Sequence, residues 1–96
     1  MTTQQNILSA LRSAKPELEK KYPIKAIALF GSYSRNENTT DSDIDVMVEF
    51  KEPIGIRFID LADELEDILQ HKVDLVSRKG IKPHYFQAIE PELIYV

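Results

Sequence analysis

The sequence predicts an α/β protein in which a small mixed β-sheet is packed with helices. Three segments carry that expectation: a brief apolar run at Ile24–Phe30, a strictly alternating segment at residues 43–50, and an amphipathic segment at residues 56–70. The first is too short for a helix, the second has the period of a strand, and the third has the period of a helix.

Taken in order, residues 3–22 carry Ile7, Leu8, Leu11 and Leu18 at helical spacing. Pro16 removes a backbone donor and crowds the preceding turn. It is expected to kink this helix or restart it as a second short one, with Lys15 pushed toward an extended state. Pro23 ends the segment. The run IKAIALF reads as a strand buried on both faces. Gly31 closes it, residues 32–37 are expected to form one helical turn, and residues 38–42 (NTTDS) a polar loop. In residues 43–50, Ile44, Val46, Val48 and Phe50 fall on one face of a strand. Asp43, Asp45, Met47 and Glu49 fall on the other. Pro53 and Gly55 mark a turn. The helix expected at 56–70 has an apolar stripe of Phe58, Leu61, Ala62, Leu65, Ile68 and Leu69, with most of its acids off that stripe. Residues 72–77 read as a short strand broken by Lys79-Gly80, residues 83–88 as a short helix, and residues 93–96 as a last strand.

Composition sets the outer bounds. A chain of 96 residues, 43% of them hydrophobic, is expected to form one domain over 1–96 around one modest core. The absence of cysteine excludes disulfides, thiolate metal sites and thiol nucleophiles. No apolar run approaches the roughly 20 residues of a membrane helix. Residues 1–6 are polar and lack the pattern of a secretion signal, so a cytoplasmic protein without a membrane partner is expected. The net charge of −4 argues against direct nucleic-acid binding through a basic surface. It does not argue against a nucleotide, because a bound cation can bridge acidic protein and phosphate.

The residues that can carry chemistry are few. Asp43 and Asp45, two apart on one strand face, have α-carbons about 6.5 Å apart and can converge on one cation cluster. Magnesium takes hard oxygen ligands, and a metal pair is the common device for in-line attack on phosphorus. Alternating acids on a solvated strand face have the same spacing. Aspartate is a poor strand former, however, and two of them opening a strand call for a compensating charge. Asp74 lies inside Val73-Asp74-Leu75-Val76, where a carboxylate must be paired, hydrogen-bonded or metal-bound. A salt bridge to Lys72, Arg78 or Lys79 is the ordinary alternative. If its strand neighbours that of Asp43 and Asp45, all three carboxylates can meet. Gly31 permits a sharp bend, and Ser32 begins a turn whose free amides attract phosphate. Arg35 falls on the same side of that turn, although a capped strand-to-helix turn looks the same. Tyr33 can stack on a base or pack against a helix. His71 and His84 have no metal-ligand spacing and read as surface or capping residues. Lys79, Lys82, His84 and Tyr85 make either a basic-aromatic edge or a polar loop. Tyr85, Phe86, Ile89, Leu93, Ile94 and Tyr95 make either an exposed apolar patch or ordinary core.

As a compound string, Phe30-Gly31-Ser32-Tyr33-Ser34-Arg35 followed by Asp41-Ser42-Asp43-Ile44-Asp45-Val46 resembles the signature of the DNA polymerase beta-like nucleotidyltransferase superfamily, with Val73-Asp74-Leu75-Val76 similar to its third-aspartate strand. The match spans residues 24–76. The small size resembles the minimal nucleotidyltransferase branch, whose members are paired as antitoxins with a helical HEPN-type toxin. The resemblance implies transfer of AMP from ATP to a hydroxyl of that toxin, most simply a tyrosine, with two Mg2+ ions. A non-catalytic module that silences the toxin by covering it is the alternative. It further implies that Asp43, Asp45 and Asp74 are the metal-binding and catalytic residues. Gly31 and Ser32 would contact the β/γ-phosphates, Arg35 would support the phosphate loop, and Ser42 would steady the metal strand and complete the nucleotide-binding set. Asn36 stands where a glycine often follows the arginine, and asparagine tolerates left-handed backbone.

Overall fold

The computed structural model describes residues 3–96. Thr3 opens the first helix by accepting the Asn6 N–H on its side-chain oxygen at 3.2 Å. The elements are α1 (Gln4–Lys21), β1 (Ile24–Phe30), β2 (Ile44–Phe50), α2 (Arg57–Leu69), β3 (Val73–Ser77), α3 (Pro83–Ile89) and β4 (Ile94–Tyr95), with 3₁₀ turns at Arg78–Gly80 and Glu90–Glu92. The expected order of helices and strands is the observed one.

The sheet runs β3-β2-β1-β4. β1 is antiparallel to β2 and to β4, and β2 is parallel to β3. The sheet is therefore mixed, as expected. The alternation in β2 divides its two sides. Ile44, Val46 and Val48 join Ile27 and Leu29 beneath α1 and α2, which bury Ile7, Leu11, Leu18, Leu61 and Leu65 there. Met47 faces the opposite way, onto Ala28, Phe30, Ile81 and Ile89. Ile27, Ala28, Leu29 and Phe30 are all buried, so β1 is covered on both faces. The C-terminal apolar residues divide between the two sides. Phe86, Ile89 and Leu93 pack into the second core, Ile94 into the first, and only Tyr85 and Tyr95 remain exposed.

One expectation fails in part. Pro16 neither restarts α1 nor extends Lys15, because the helix runs unbroken through both. Ile7, Leu8 and Leu11 lie before the proline and Leu18 after it, all within 4% exposure on one core. Burying four such side chains is worth about 8 kcal/mol, against about 3 kcal/mol for proline in a helix interior. The carbonyl of Arg12, which loses its helical donor, lies on an exposed residue and can bond water.

Candidate active site

β2 and β3 set the geometry. Their parallel register pairs Asp45 with Asp74, Ile44 with Val73 and Val46 with Leu75. Paired residues on adjacent strands share a face, so both carboxylates project on the Met47 side, away from α1 and α2. Asp43 lies two residues before Asp45 and joins the same side at the start of the strand. The turn after β1 reaches this side too, since Phe30 pairs with Asp45. Gly31 follows with φ +79, and an ideal Cβ built on it would stand 2.0 Å from Asp45 Oδ2. A glycine is thus required both by the backbone conformation and by the carboxylate lying against it.

The next residues make a single turn. Arg35 N–H donates to Gly31 O at 3.2 Å, Asn36 N–H to Tyr33 O at 3.3 Å and Glu37 N–H to Ser32 O at 2.8 Å. Asn36 has φ +58, so it fills the left-handed position that ends a Schellman-type turn. Among the described residues no group accepts the N–H of Ser32, Tyr33 or Ser34, which gives this turn the free amides that attract an anion. Ser42 lies in the loop before β2, where its Oγ accepts the Thr39 N–H at 2.9 Å and its own N–H donates to Thr39 O at 3.1 Å.

Two residues that sequence reasoning passed over hold the turn. Glu92 accepts the Gly31 N–H at 2.8 Å and takes Arg35 Nη1 at 2.8 Å, while its backbone carbonyl accepts the Ser34 hydroxyl. Gln4 Nε2 donates to Ser34 O at 2.8 Å and to Tyr33 O at 3.3 Å. Arg35 also binds Glu37 at 2.8 Å, and the two carboxylates, Glu37 first, push the guanidinium further above its ordinary range. Tyr33 is buried, meets the His71 ring edge-on and places its hydroxyl 3.3 Å from His71 Nε2. Packing, not base stacking, is its role. The exposed aromatic on the cleft is Tyr85, which with Gly31, Ser32, Arg35, Asp45 and Glu92 lines an open cleft of about 450 Å³. A more enclosed cavity of about 280 Å³ between Phe50, Pro53, Phe58 and Ser77 lies at the other end of β2 and β3, away from the three aspartates.

The electrostatics mark a cation deficit. Burial, then the charges of Asp74, Asp43 and Glu92, push the Asp45 carboxyl up to about 6, and Arg35 only partly offsets them. Asp74 has no ion pair among the described residues, so the salt bridge to Lys72, Arg78 or Lys79 is not formed; Arg78 lies instead over the Phe86 ring at 3.5 Å. The donor set is carboxylate oxygen, which suits a hard divalent cation. Among the described residues no three acidic or imidazole groups already stand around one point at ligand geometry. Asp43 and Asp74 carry no side-chain hydrogen bond there, so their χ angles are free to turn inward.

This is the layout that the nucleotidyltransferase domain family model matches over residues 11–96. The chain belongs to that family. It is 50% identical over 98 residues to MJ0128 of Methanocaldococcus jannaschii, provisionally named a protein adenylyltransferase, with both chains covered in full. It is 38% identical to protein adenylyltransferase MntA of Thermococcus cleftensis, covering 100% of this chain and 98% of that one. In structure it is similar to a provisionally named minimal nucleotidyltransferase, with TM-score 0.81, 31% identity and coverage of 97% and 95%. It is also similar to a chain of a toxin–antitoxin complex with AMP-PNP, with TM-score 0.70, 27% identity and coverage of 98% and 72%. These similarities bear out the polymerase beta-like fold that the motif string implied. Among the described residues no helix is long and apolar enough to cross a membrane.

Proposed function

We propose that this chain transfers AMP from ATP to a hydroxyl, most simply a tyrosine, on a helical HEPN-type toxin and thereby acts as its antitoxin. The observation that carries this reading is the β2–β3 register, which brings Asp45 and Asp74 side by side on the face that also holds the Gly31 turn. Its support from relatives is that MntA is named a protein adenylyltransferase. A further structural neighbour, 27% identical with TM-score 0.60, comes from a tri-AMPylated HEPN toxin of Shewanella oneidensis in complex with its MNT antitoxin.

Asp43, Asp45 and Asp74 would hold Mg2+, two ions being expected. The metal, when bound, neutralises phosphate charge and lowers the pKa of a nearby hydroxyl. The chain's own residues do the rest. The free amides of Ser32 and its neighbours hold the β/γ-phosphates at the start of the turn. Arg35 keeps that turn closed against Glu92 and Glu37. Ser42 fixes the loop that delivers Asp43. Asp74 accepts the proton of the acceptor hydroxyl as its oxygen attacks the α-phosphorus. The α-phosphorus to bridging-oxygen bond then breaks, and pyrophosphate leaves with the electron pair.

The test is transfer of labelled AMP to the co-purified toxin in Mg2+. Asp45→Asn should lose it by at least about a hundredfold, and undiminished transfer by that variant would defeat the proposal. The covering mechanism is separated by a triple Asn variant of Asp43, Asp45 and Asp74. If catalysis silences the toxin, that variant binds it without inhibiting it.

A further inference from the structure

The antiparallel register of β4 explains why Glu92 reaches the phosphate turn. Ala28 pairs with Tyr95 and Leu29 with Ile94. Continued two steps, the same register sets Gly31 opposite Glu92. The 3₁₀ turn Glu90–Glu92 ends there, and the chain past it is pinned at Val96 through both its backbone groups. Val96 N–H donates to Ile27 O at 3.0 Å, and Lys15 Nζ donates to Val96 O at 2.8 Å. Glu92 is thus a carboxylate delivered by a docked C-terminal strand, and its side chain is only 18% exposed.

Both oxygens are used. Oε1 takes the Gly31 N–H and Oε2 takes Arg35 Nη1, each at 2.8 Å. The two donors lie at opposite ends of the turn, at its first residue and just before its left-handed Asn36. A single bidentate acceptor therefore fixes the turn's span. The amides of Ser32, Tyr33 and Ser34, which have no partner among the described residues, lie between the two clamped points. Because the Gly31 amide is occupied by Glu92, phosphate binding falls to those three. A turn clamped at a fixed span presents them together, whereas a free turn must be ordered by the ligand at a cost in affinity.

We propose that Glu92 is a positioning residue for the triphosphate: its carboxylate staples Gly31 to Arg35 and so preorganises the anion-binding amides. The proposal rests on the nucleotidyltransferase reading of the same site. It places Glu92 in contact with the turn, not with the nucleotide.

The test compares Glu92→Gln, Glu92→Asp and Glu92→Ala with the unaltered chain, in complex with its toxin. Glutamine keeps the length and the Gly31 bond but loses the ion pair. Aspartate keeps the charge but is one methylene too short to span both donors. Expected is a rise of about tenfold in KM for ATP for Glu92→Ala and Glu92→Asp, and a smaller rise of about threefold to fivefold for Glu92→Gln, which keeps only the Gly31 end of the staple, with kcat within about threefold throughout. A second readout needs no nucleotide: hydrogen exchange at the Gly31 amide should be slow in the unaltered chain and in Glu92→Gln, and fast in the other two. Affinity for tripolyphosphate, which has no base or ribose, should fall in parallel with ATP. The proposal is overturned if Glu92→Asp and Glu92→Ala bind tripolyphosphate as the unaltered chain does. Tighter binding would overturn it as well, since Glu92 would then be competing with phosphate. An unaltered chain that transfers nothing and binds no tripolyphosphate would instead defeat the transferase reading. Should Glu92→Ala fail to fold, the Gln and Asp pair still decides the question.

Discussion

Replacing Gly31 by alanine puts a methyl group where the Asp45 carboxylate already lies. The added Cβ would stand 2.0 Å from Oδ2, 2.9 Å from Cγ and 3.1 Å from Cβ of Asp45. Ordinary contact begins near 3.4 Å, so the carboxylate or the turn must move by more than an ångström. Two costs combine. An L-residue at φ +79 pays about 1–2 kcal/mol for left-handed backbone. Driving Asp45 off its rotamer adds about 1 kcal/mol. A loss of about 2–3 kcal/mol is therefore expected in urea denaturation of Gly31→Ala. Repeating the substitution in an Asp45→Ala background removes the carboxylate and leaves the backbone strain, so the cost there should drop by about 1 kcal/mol. Activity should suffer more than stability. With Asp45 holding metal as proposed, its displacement by about 1 Å should lower transfer by about a hundredfold, measured at temperatures where the variant is still folded. An equal stability cost in both backgrounds, or undiminished transfer, would refute the contact between Gly31 and Asp45 as the reason for the glycine.

Four further outcomes follow. Asp45 is a carboxyl whose folded pKa, about 6, lies above the ordinary aspartate value of 3.8, so the folded state binds its proton more tightly and metal-free stability is lost as pH rises from about 4 through about 6. Full linkage would be about 3 kcal/mol, and partial exposure cuts this to about 1; Asp45→Asn should therefore gain about 1 kcal/mol over the unaltered chain at pH 8 relative to pH 4 in EDTA, and equal gains at both would contradict the cause. Pro16→Ala should stabilise the chain by about 2 kcal/mol in thermal or urea melts, because α1 is already continuous there. Leu65→Ala should cost about 3 kcal/mol, the side chain being 0% exposed. At Asn36, with φ +58, glycine should be neutral to about 0.5 kcal/mol stabilising and alanine about 1 kcal/mol destabilising; the reverse order would exclude the Schellman-type turn.

β2 and α2 were legible because each is periodic within its own residues, and β1 because it is a short, nearly continuous apolar run. The alternation through Ile44, Val46 and Val48 predicts which side the acids take, and the register confirms it for Asp45 and Asp74. What a single strand cannot specify is its neighbour. Asp74 with a salt bridge and Asp74 beside Asp45 read identically until the β2–β3 pairing is known. Pro16 misled because local propensity was weighed without the core on both sides of it. Tyr33 carried two readings, and the position of His71, 38 residues away, decides for packing. Gln4 and Glu92 gave no signal at all. Each reaches the turn through tertiary structure, across 30 and 61 residues respectively, and polar residues near chain ends ordinarily read as solvated. The Gly-Ser turn and the aspartates were visible only as a compound string, since each piece alone matches an ordinary cap or strand edge.

Asp74 tests the site most directly, because it alone comes from a strand separate from the other two acids. The measurement is the intact mass of a co-purified HEPN-type toxin after incubation with ATP and Mg2+, using this chain and its Asp74→Asn variant at matched folded concentration. Mass gains in whole AMP units with the unaltered chain, and none with Asp74→Asn while the two proteins still bind, are expected. Equal gains with both would mean that the acid brought beside Asp45 takes no part in the chemistry.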